Sequence, residues 1–124
     1  MPLIDIKAFH DVAAKDPEFL RAMRYYDGAI SVSVGDAESY VLTFEDGKML
    51  GAAEGRAPDA VISVKATPEQ WSAMLESFPK PFYQCLQSSA VRHGVELSGS
   101  DQTFAYLPAL NRMMQLLRSN QKAG

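Results

Sequence analysis

Cysteine, histidine and tryptophan are scarce in this chain of 124 residues, which holds 1 Cys, 2 His and 1 Trp. A single thiol, Cys85, cannot close an internal disulfide, so nothing points to an oxidising compartment. The histidines, His10 and His93, lie far apart, and no C-x-x-C or H-x-x-x-H spacing offers a metal site. Basic runs are missing too. Lys and Arg number 12 against 15 Asp and Glu, a net charge of −3. Nucleic-acid binding through counterion release needs a basic face, so that class is set aside. No apolar run approaches the roughly 18 residues of a membrane span, and the start, Met1-Pro2-Leu3-Ile4-Asp5-Ile6-Lys7, lacks the apolar stretch of a signal peptide. Stable membrane insertion is therefore not expected. The end, Gln121-Lys122-Ala123-Gly124, is no peroxisomal address. The expectation is a single domain, 1–124, in the cytoplasm.

What the chain does hold is a surplus of large soft side chains: 6 Met, 6 Phe and 5 Tyr within an ordinary hydrophobic content of 47%. Their positions follow local signals. Asp5 can cap a first helix with Phe9, Val12 and Ala13 at helical spacing, and Asp16-Pro17 reads as an N-cap followed by proline at the first helical position. Phe19, Leu20 and Met23 then face a core, so helices are expected within 5–26. From Gly28 the period becomes two: Ile30, Val32 and Val34 alternate with serines, and Tyr40, Leu42 and Phe44 alternate with Val41 and Thr43. Asp46-Gly47 suits a type I′ hairpin turn into a thin third strand over 48–54, and a fourth strand is expected over 60–64. One face of these strands is apolar and the other wetter, so the sheet needs cover on one side only.

The cover follows in sequence. Thr67-Pro68-Glu69-Gln70 fits a capping box, with Trp71, Met74, Leu75 and Phe78 spaced i, i+3, i+4, i+7 behind it. After Pro79-Lys80-Pro81 a short helical piece carries Phe82, Tyr83, Cys85 and Leu86. Val95-Glu96-Leu97 is a short strand. Asp101 can cap a last helix with Phe104, Leu107, Leu110, Met114 and Leu117, and Pro108 within it predicts a kink or a restart. Met113-Met114 and Leu116-Leu117 are adjacent pairs, which widen the apolar stripe beyond one sheet face. That helix is therefore either buried on two sides or offers apolar surface to something else. Sheet and covering helices together occupy 28–119.

Chemistry-bearing constellations are weak. Cys85 and His93 would make a thiol and its base only if they met, whereas Cys85 sits in an apolar stretch and His93 in a polar turn. The acid pairs Glu45-Asp46 and Glu54 with Asp59 flank turns and read as solvated. Gly47, Gly51 and Gly55 recur every four residues without a G-x-G-x-x-G. They suggest hairpin geometry and close approach by a helix rather than a phosphate cradle.

The order of these motifs carries a resemblance. Tyr40-Val41-Leu42-Thr43-Phe44 runs into Asp46-Gly47. Pro58-Asp59-Ala60-Val61-Ile62-Ser63-Val64 follows, then the helix from Pro68 to Leu75, then Val95-Glu96-Leu97-Ser98-Gly99 leading into a terminal helix with Leu107 and Leu110. The block from Ile30 to Leu117 thereby resembles the sterol carrier protein 2 family. The resemblance implies an α+β fold, a five-stranded mixed and mostly antiparallel sheet with helices over one face. It also implies a tunnel between sheet and helices for a fatty acid, a fatty acyl-CoA or a sterol. Members present or transfer lipids, need no cofactor and are not catalysts by themselves. Two departures, Glu76-Ser77-Phe78-Pro79-Lys80-Pro81 and His93-Gly94-Val95, fall where the resemblance puts the tunnel mouth.

With the wide apolar cover, the resemblance nominates Trp71, Met74, Leu75, Phe78, Phe82, Phe104, Leu107, Leu110 and Met114 as lining residues of a non-catalytic lipid-binding module. Two rivals stand beside it. One is a small hydrophobic-pocket enzyme on a lipid-like substrate, with Asp59, His93 or Tyr83 as acid or base. The other is an accessory subunit whose Met113, Met114, Leu116 and Leu117 dock on a second copy or on a partner enzyme.

Overall fold

The computed structural model describes residues 4–36, 38–57, 60–76, 79, 81–83, 85–98 and 101–122, with backbone alone at 120–122. Two short helices open the chain, α1 (Ile6–Ala13) and α2 (Pro17–Ala22). Each starts on the aspartate that the sequence marks. Asp5 accepts from the Ala8 N–H at 3.1 Å, and Asp16 accepts from the Phe19 N–H at 2.8 Å with Pro17 leading the helix. Phe9, Ala13, Phe19 and Met23 are buried; Val12, expected inside, is 41% exposed.

Strands β1 (Gly28–Val34), β2 (Glu38–Glu45), β3 (Lys48–Glu54), β4 (Ile62–Ala66) and β5 (Glu96–Leu97) form one five-stranded sheet in the order β3-β2-β1-β4-β5. The β1–β4 pair is parallel and the other pairs are antiparallel. Register lines up the apolar side chains in rows across the sheet: Leu42 beside Ile30 beside Ile62, and Tyr40 beside Val32 beside Val64. All six are buried. The opposite face carries Ser31, Ser33, Ser39, Thr43, Ser63 and Lys65, none of them buried. The hairpin between β2 and β3 has positive φ at both Asp46 and Gly47, as a type I′ turn requires.

β4 begins two residues later than the period-two pattern suggests. The Ala60 N–H donates to the Ala57 carbonyl in a turn, and pairing with β1 starts only where Ile62 meets Ile30. The glycines at 47, 51 and 55 do not act as a set. A Cβ at Gly47 would lie 2.6 Å from the Arg24 Cα, so this turn packs hard against the end of α2. Gly51 faces open space and Gly55 only the Val41 side chain, so no helix presses on them.

Helices α3 (Pro68–Met74), α4 (Leu86–His93), α5 (Asp101–Ala105) and α6 (Leu107–Lys122) complete the fold. The capping box forms in full: Thr67 Oγ1 accepts from the Gln70 N–H, and Gln70 Oε1 accepts from the Thr67 N–H. α4 replaces the helical piece expected around Phe82. Phe82 has φ of +70°, which keeps it out of a helix, and the Leu86 N–H finds its partner in Asn111 Oδ1 at 2.9 Å instead. α4 then runs through the expected polar turn at Arg92-His93 and stops on Gly94 in the left-handed conformation.

Asp101 stands inside α5 rather than before it. The last helix restarts at Leu107 with Pro108 in its first turn, where a missing N–H costs nothing. α6 touches α1, α2, α4 and α5, and its Arg118 side chain donates to the Met74 carbonyl at the end of α3. Flanked in this way it buries both adjacent pairs, Met113-Met114 and Leu116-Leu117. The wide stripe is thus explained by burial on two sides, and those four side chains offer no surface for docking. A bidentate contact from Arg112 to Asp16, at 2.8 and 3.0 Å, clamps α6 onto the start of α2.

Candidate functional site

The sheet's apolar face and the helices above it nearly fill the space between them. Among the described residues a narrow apolar seam lies there, walled by Val32, Tyr40 and Leu42 from the sheet, Ile4, Ile6 and Phe9 from the N-terminal segment, and Met113 and Leu117 from α6. Its volume is about 10 Å³, at the lower edge of the room for one water. With apolar walls it offers such a water no partners, so it stays dry. The seam exists because α1 is one-sided: Ile6, Phe9 and Ala13 point to the core while Asp5, Lys7 and Asp11 are exposed. Edge-on contact of Phe9 with Phe19, centroids 6.2 Å apart, fixes the angle at which α1 lies. A larger depression of about 680 Å³ between α2 and the α5–α6 turn is an open surface feature rimmed by Glu18, Arg21, Arg24 and Gln102, and it does not enter the core.

One wall residue carries a polar side-chain group, and its neighbours take that group up. Tyr40, 2% exposed, places its hydroxyl 2.5 Å from Glu38 Oε1 and 3.2 Å from the Ile4 carbonyl oxygen. The Ile4 N–H reaches the same Glu38 oxygen at 3.4 Å. Burial first, then the hydrogen bond and charge of Glu38, then the charges of Glu54 and Asp5, push the Tyr40 phenol far above its ordinary range. It stays protonated at any ordinary pH and is a poor proton donor in catalysis. Elsewhere, the Arg112 hydrogen bond holds the Asp16 carboxyl below the usual carboxylate range against an opposing effect of burial, and burial raises the Tyr26 phenol.

The nominated lining residues separate into groups. Trp71, Met74, Leu75, Leu110 and Met114 are buried, and the Trp71 indole N–H donates to the Ser33 carbonyl at 2.8 Å. They fill the core around α3 and α6 without bordering the seam. Leu107 is half-buried. Phe82 and Phe104 are 43% and 63% exposed, so neither ring lies between sheet and helices. Phe78 lies outside the described residues. The seam's own walls come largely from elsewhere. Met113 and Leu117 belong to the apolar stripe of the last helix, Phe9 to that of the first and Tyr40 to the apolar strand face, whereas Ile4 and Ile6 precede or open the first helix outside its expected stripe. The one signal for them was the one-sided stripe of α1, which needs something to cover.

The chemical constellations do not assemble. Cys85 and His93 bracket α4, about 12 Å apart by helix rise. Cys85 Sγ lies 3.1 Å from Ser88 Oγ, while the His93 ring stacks flat on Tyr83 at 3.8 Å and its Nε2 faces the Pro81 carbonyl. The Arg92 guanidinium sits 4.4 Å above the Phe82 ring. This corner pins the 81–83 loop to the end of α4. Glu45 and Asp46 are exposed, and Asp59 lies outside the described residues. No group of three metal-ligating side chains occurs among the described residues, and no described helix is long and apolar enough to cross a membrane.

A one-faced, five-stranded mixed sheet with its parallel pair at the centre and two helices before it is the sterol carrier protein 2-like fold. The crystal structure of a sterol carrier protein 2 superposes with a TM-score of 0.72 at 21% identity, covering 91% of this chain and 92% of that one. A conserved hypothetical protein from Thermus thermophilus, known from its solution structure, gives 0.65 at 20% identity over 92% and 84%. The ubiquinone synthesis protein UbiJ-SCP2 gives 0.55 at 19% identity over 89% and 87%. At these identities the likeness establishes the fold. No family model and no curated protein sequence matches the chain.

Proposed function

We propose that this chain is a non-catalytic carrier for an elongated apolar ligand of the fatty acid, fatty acyl-CoA or sterol class, acting in the cytoplasm without a cofactor. The observation that carries the reading is the dry seam between the sheet and the α1–α6 pair, in a fold shared with a sterol carrier protein 2. The seam is far smaller than such a ligand, so a ligand has to part α1 from the sheet. Exposing Ile4, Ile6 and Phe9 costs roughly 1.5–3 kcal/mol each, about 5–9 kcal/mol together. A twelve- to sixteen-carbon chain gains about 0.8 kcal/mol per buried CH₂, some 9–12 kcal/mol. The balance favours long chains and excludes short ones, which cannot offset the opening.

Catalysis finds no support in the site. Among the described residues the titratable side chain on the wall is Tyr40, and burial keeps its proton in place. Native mass spectrometry of the purified protein tests the carrier reading. Adducts in the mass range of lipids, or uptake of a long-chain fluorescent probe, are expected. A bare protein mass together with no probe uptake contradicts it.

A further inference from the structure

The open groove between α2 and the α5–α6 turn holds about 680 Å³, within the roughly 300–1,000 Å³ of small-molecule sites. Small residues keep it open: Ala22 of α2 and Ala105 of α5 line it beside Pro108, where longer side chains would close it. Arg21 and Arg24 also line it, three residues apart, and neither forms an ion pair among the described residues. The acid on the rim, Glu18, is met by Arg112 at 3.4 Å. Tyr25 completes this side. It is 76% exposed and has φ of +71°, a left-handed conformation that strains a bulky residue and that glycine usually supplies where a helix ends. The turn is held in place nonetheless. The Tyr26 N–H donates to the Met23 carbonyl at 3.0 Å, the Gly47 N–H to the Tyr26 carbonyl at 2.9 Å, and the Tyr106 hydroxyl to the Arg24 carbonyl at 3.3 Å. Tyrosine therefore strains the backbone here and buries no ring in return. Strain of this kind gathers at ligand sites. Its ring stands at the groove with the Arg24 guanidinium 5.9 Å away.

We propose that this groove binds a flat aromatic anion, its negative group on Arg21 and Arg24 and its ring against Tyr25. The guanidiniums present planar sets of donors that suit the oxygens of a carboxylate, sulfonate or phosphate. Tyr25 offers a ring face for stacking, and Ala22, Ala105 and Pro108 offer apolar surface. A neutral ring leaves the arginines without an anion, and a small inorganic anion leaves the apolar wall bare, so the site needs both parts of the ligand. Because the turn is fixed before the ligand arrives, little ordering opposes binding. The groove shares no wall residue with the seam, so this site stands apart from the carrier reading.

Titrating the full chain with 2-naphthoate, its neutral analogue 2-naphthylmethanol and inorganic phosphate, followed by amide NMR, tests the proposal. 2-Naphthoate is expected to bind with a Kd on the order of 1 mM and to shift the amides of Ala22, Tyr25 and Ala105. The neutral analogue should bind about fivefold more weakly, the scale of two exposed ion pairs. With Arg21→Gln and Arg24→Gln together, the two naphthalenes should come within about twofold of each other. Ala105→Leu, at an exposed position of α5, should fill the groove with both arginines in place and abolish the shifts at Ala22 and Tyr25. Tyr25→Gly separates binding from folding. It relieves the backbone strain, so the urea midpoint should hold or rise while 2-naphthoate affinity falls about threefold or more. A lowered midpoint with unchanged affinity assigns the ring to the fold and overturns the proposal. So do absent 2-naphthoate shifts, equal binding of the two naphthalenes by the unaltered chain, phosphate binding as tightly as 2-naphthoate, or shifts that persist in Ala105→Leu.

Discussion

Truncating Phe9 separates a docked α1 from a merely adjacent one. Its ring is 1% exposed, borders the seam and meets Phe19 edge-on at 6.2 Å. Phe9→Ala removes that buried ring and leaves a hole that joins the existing seam, so little collapse can offset the loss. Truncations of this kind cost about 3–5 kcal/mol, of which the aromatic pair accounts for roughly 0.5–1.5 kcal/mol. With a urea m-value near 2 kcal/mol per M, the unfolding midpoint should fall by about 1.5–2.5 M without a change in slope. Against a total stability of about 5–15 kcal/mol the variant should still fold. Urea titration followed by tryptophan fluorescence reads the change, since Trp71 is fully buried. The same variant should take up a long-chain probe faster, because less apolar surface has to be exposed to open the seam. A midpoint loss below about 0.5 M, equivalent to about 1 kcal/mol, refutes the reasoning, for it would mean that α1 contributes no packed wall.

Two further outcomes follow from single contacts. Gly47→Ala should destabilise by about 2 kcal/mol or more, because φ of +79° is strained for an L side chain and the new Cβ would meet the Arg24 backbone at 2.6 Å; a urea midpoint within error of the original would contradict the packing of this turn. Asp16 has its folded pKa lowered by Arg112, so its pairing stabilises above the unfolded value near 4 and is lost as pH falls below it. The urea midpoint should therefore drop between pH 6 and pH 3, and Asp16→Asn should start lower at pH 6 and show a shallower acid dependence; parallel pH profiles would speak against the clamp.

Local signals in the chain are legible where one or two residues decide the backbone. Asp5, Asp16-Pro17, Thr67 with Gln70, and Asp46-Gly47 each form the cap or turn their chemistry calls for. The period-two patterns placed Ile30, Val32, Val34, Tyr40, Leu42 and Phe44 on the buried face correctly. Elsewhere distant partners decide the backbone. The start of α4 depends on Asn111, 25 residues on, and the start of β4 on which residues β1 leaves to pair. Phe82 and Phe104 look like core by type and spacing. One is turned out by a positive φ beside Arg92, and the other falls on the outer side of a short helix. The seam was harder still, because its walls bring together Ile4, Tyr40 and Leu117, which only tertiary docking of α1 and α6 makes neighbours.

A long-chain lipid carrying a photoactivatable diazirine in its chain locates the bound ligand. Irradiated on the intact protein and mapped by peptide mass spectrometry, it should label the seam wall, at Phe9, Met113 or Leu117, and an excess of the same lipid without the diazirine should suppress that labelling. Labelling confined to exposed residues such as Phe82 and Phe104, or labelling that competitor leaves unchanged, would contradict a binding site between the sheet and its covering helices.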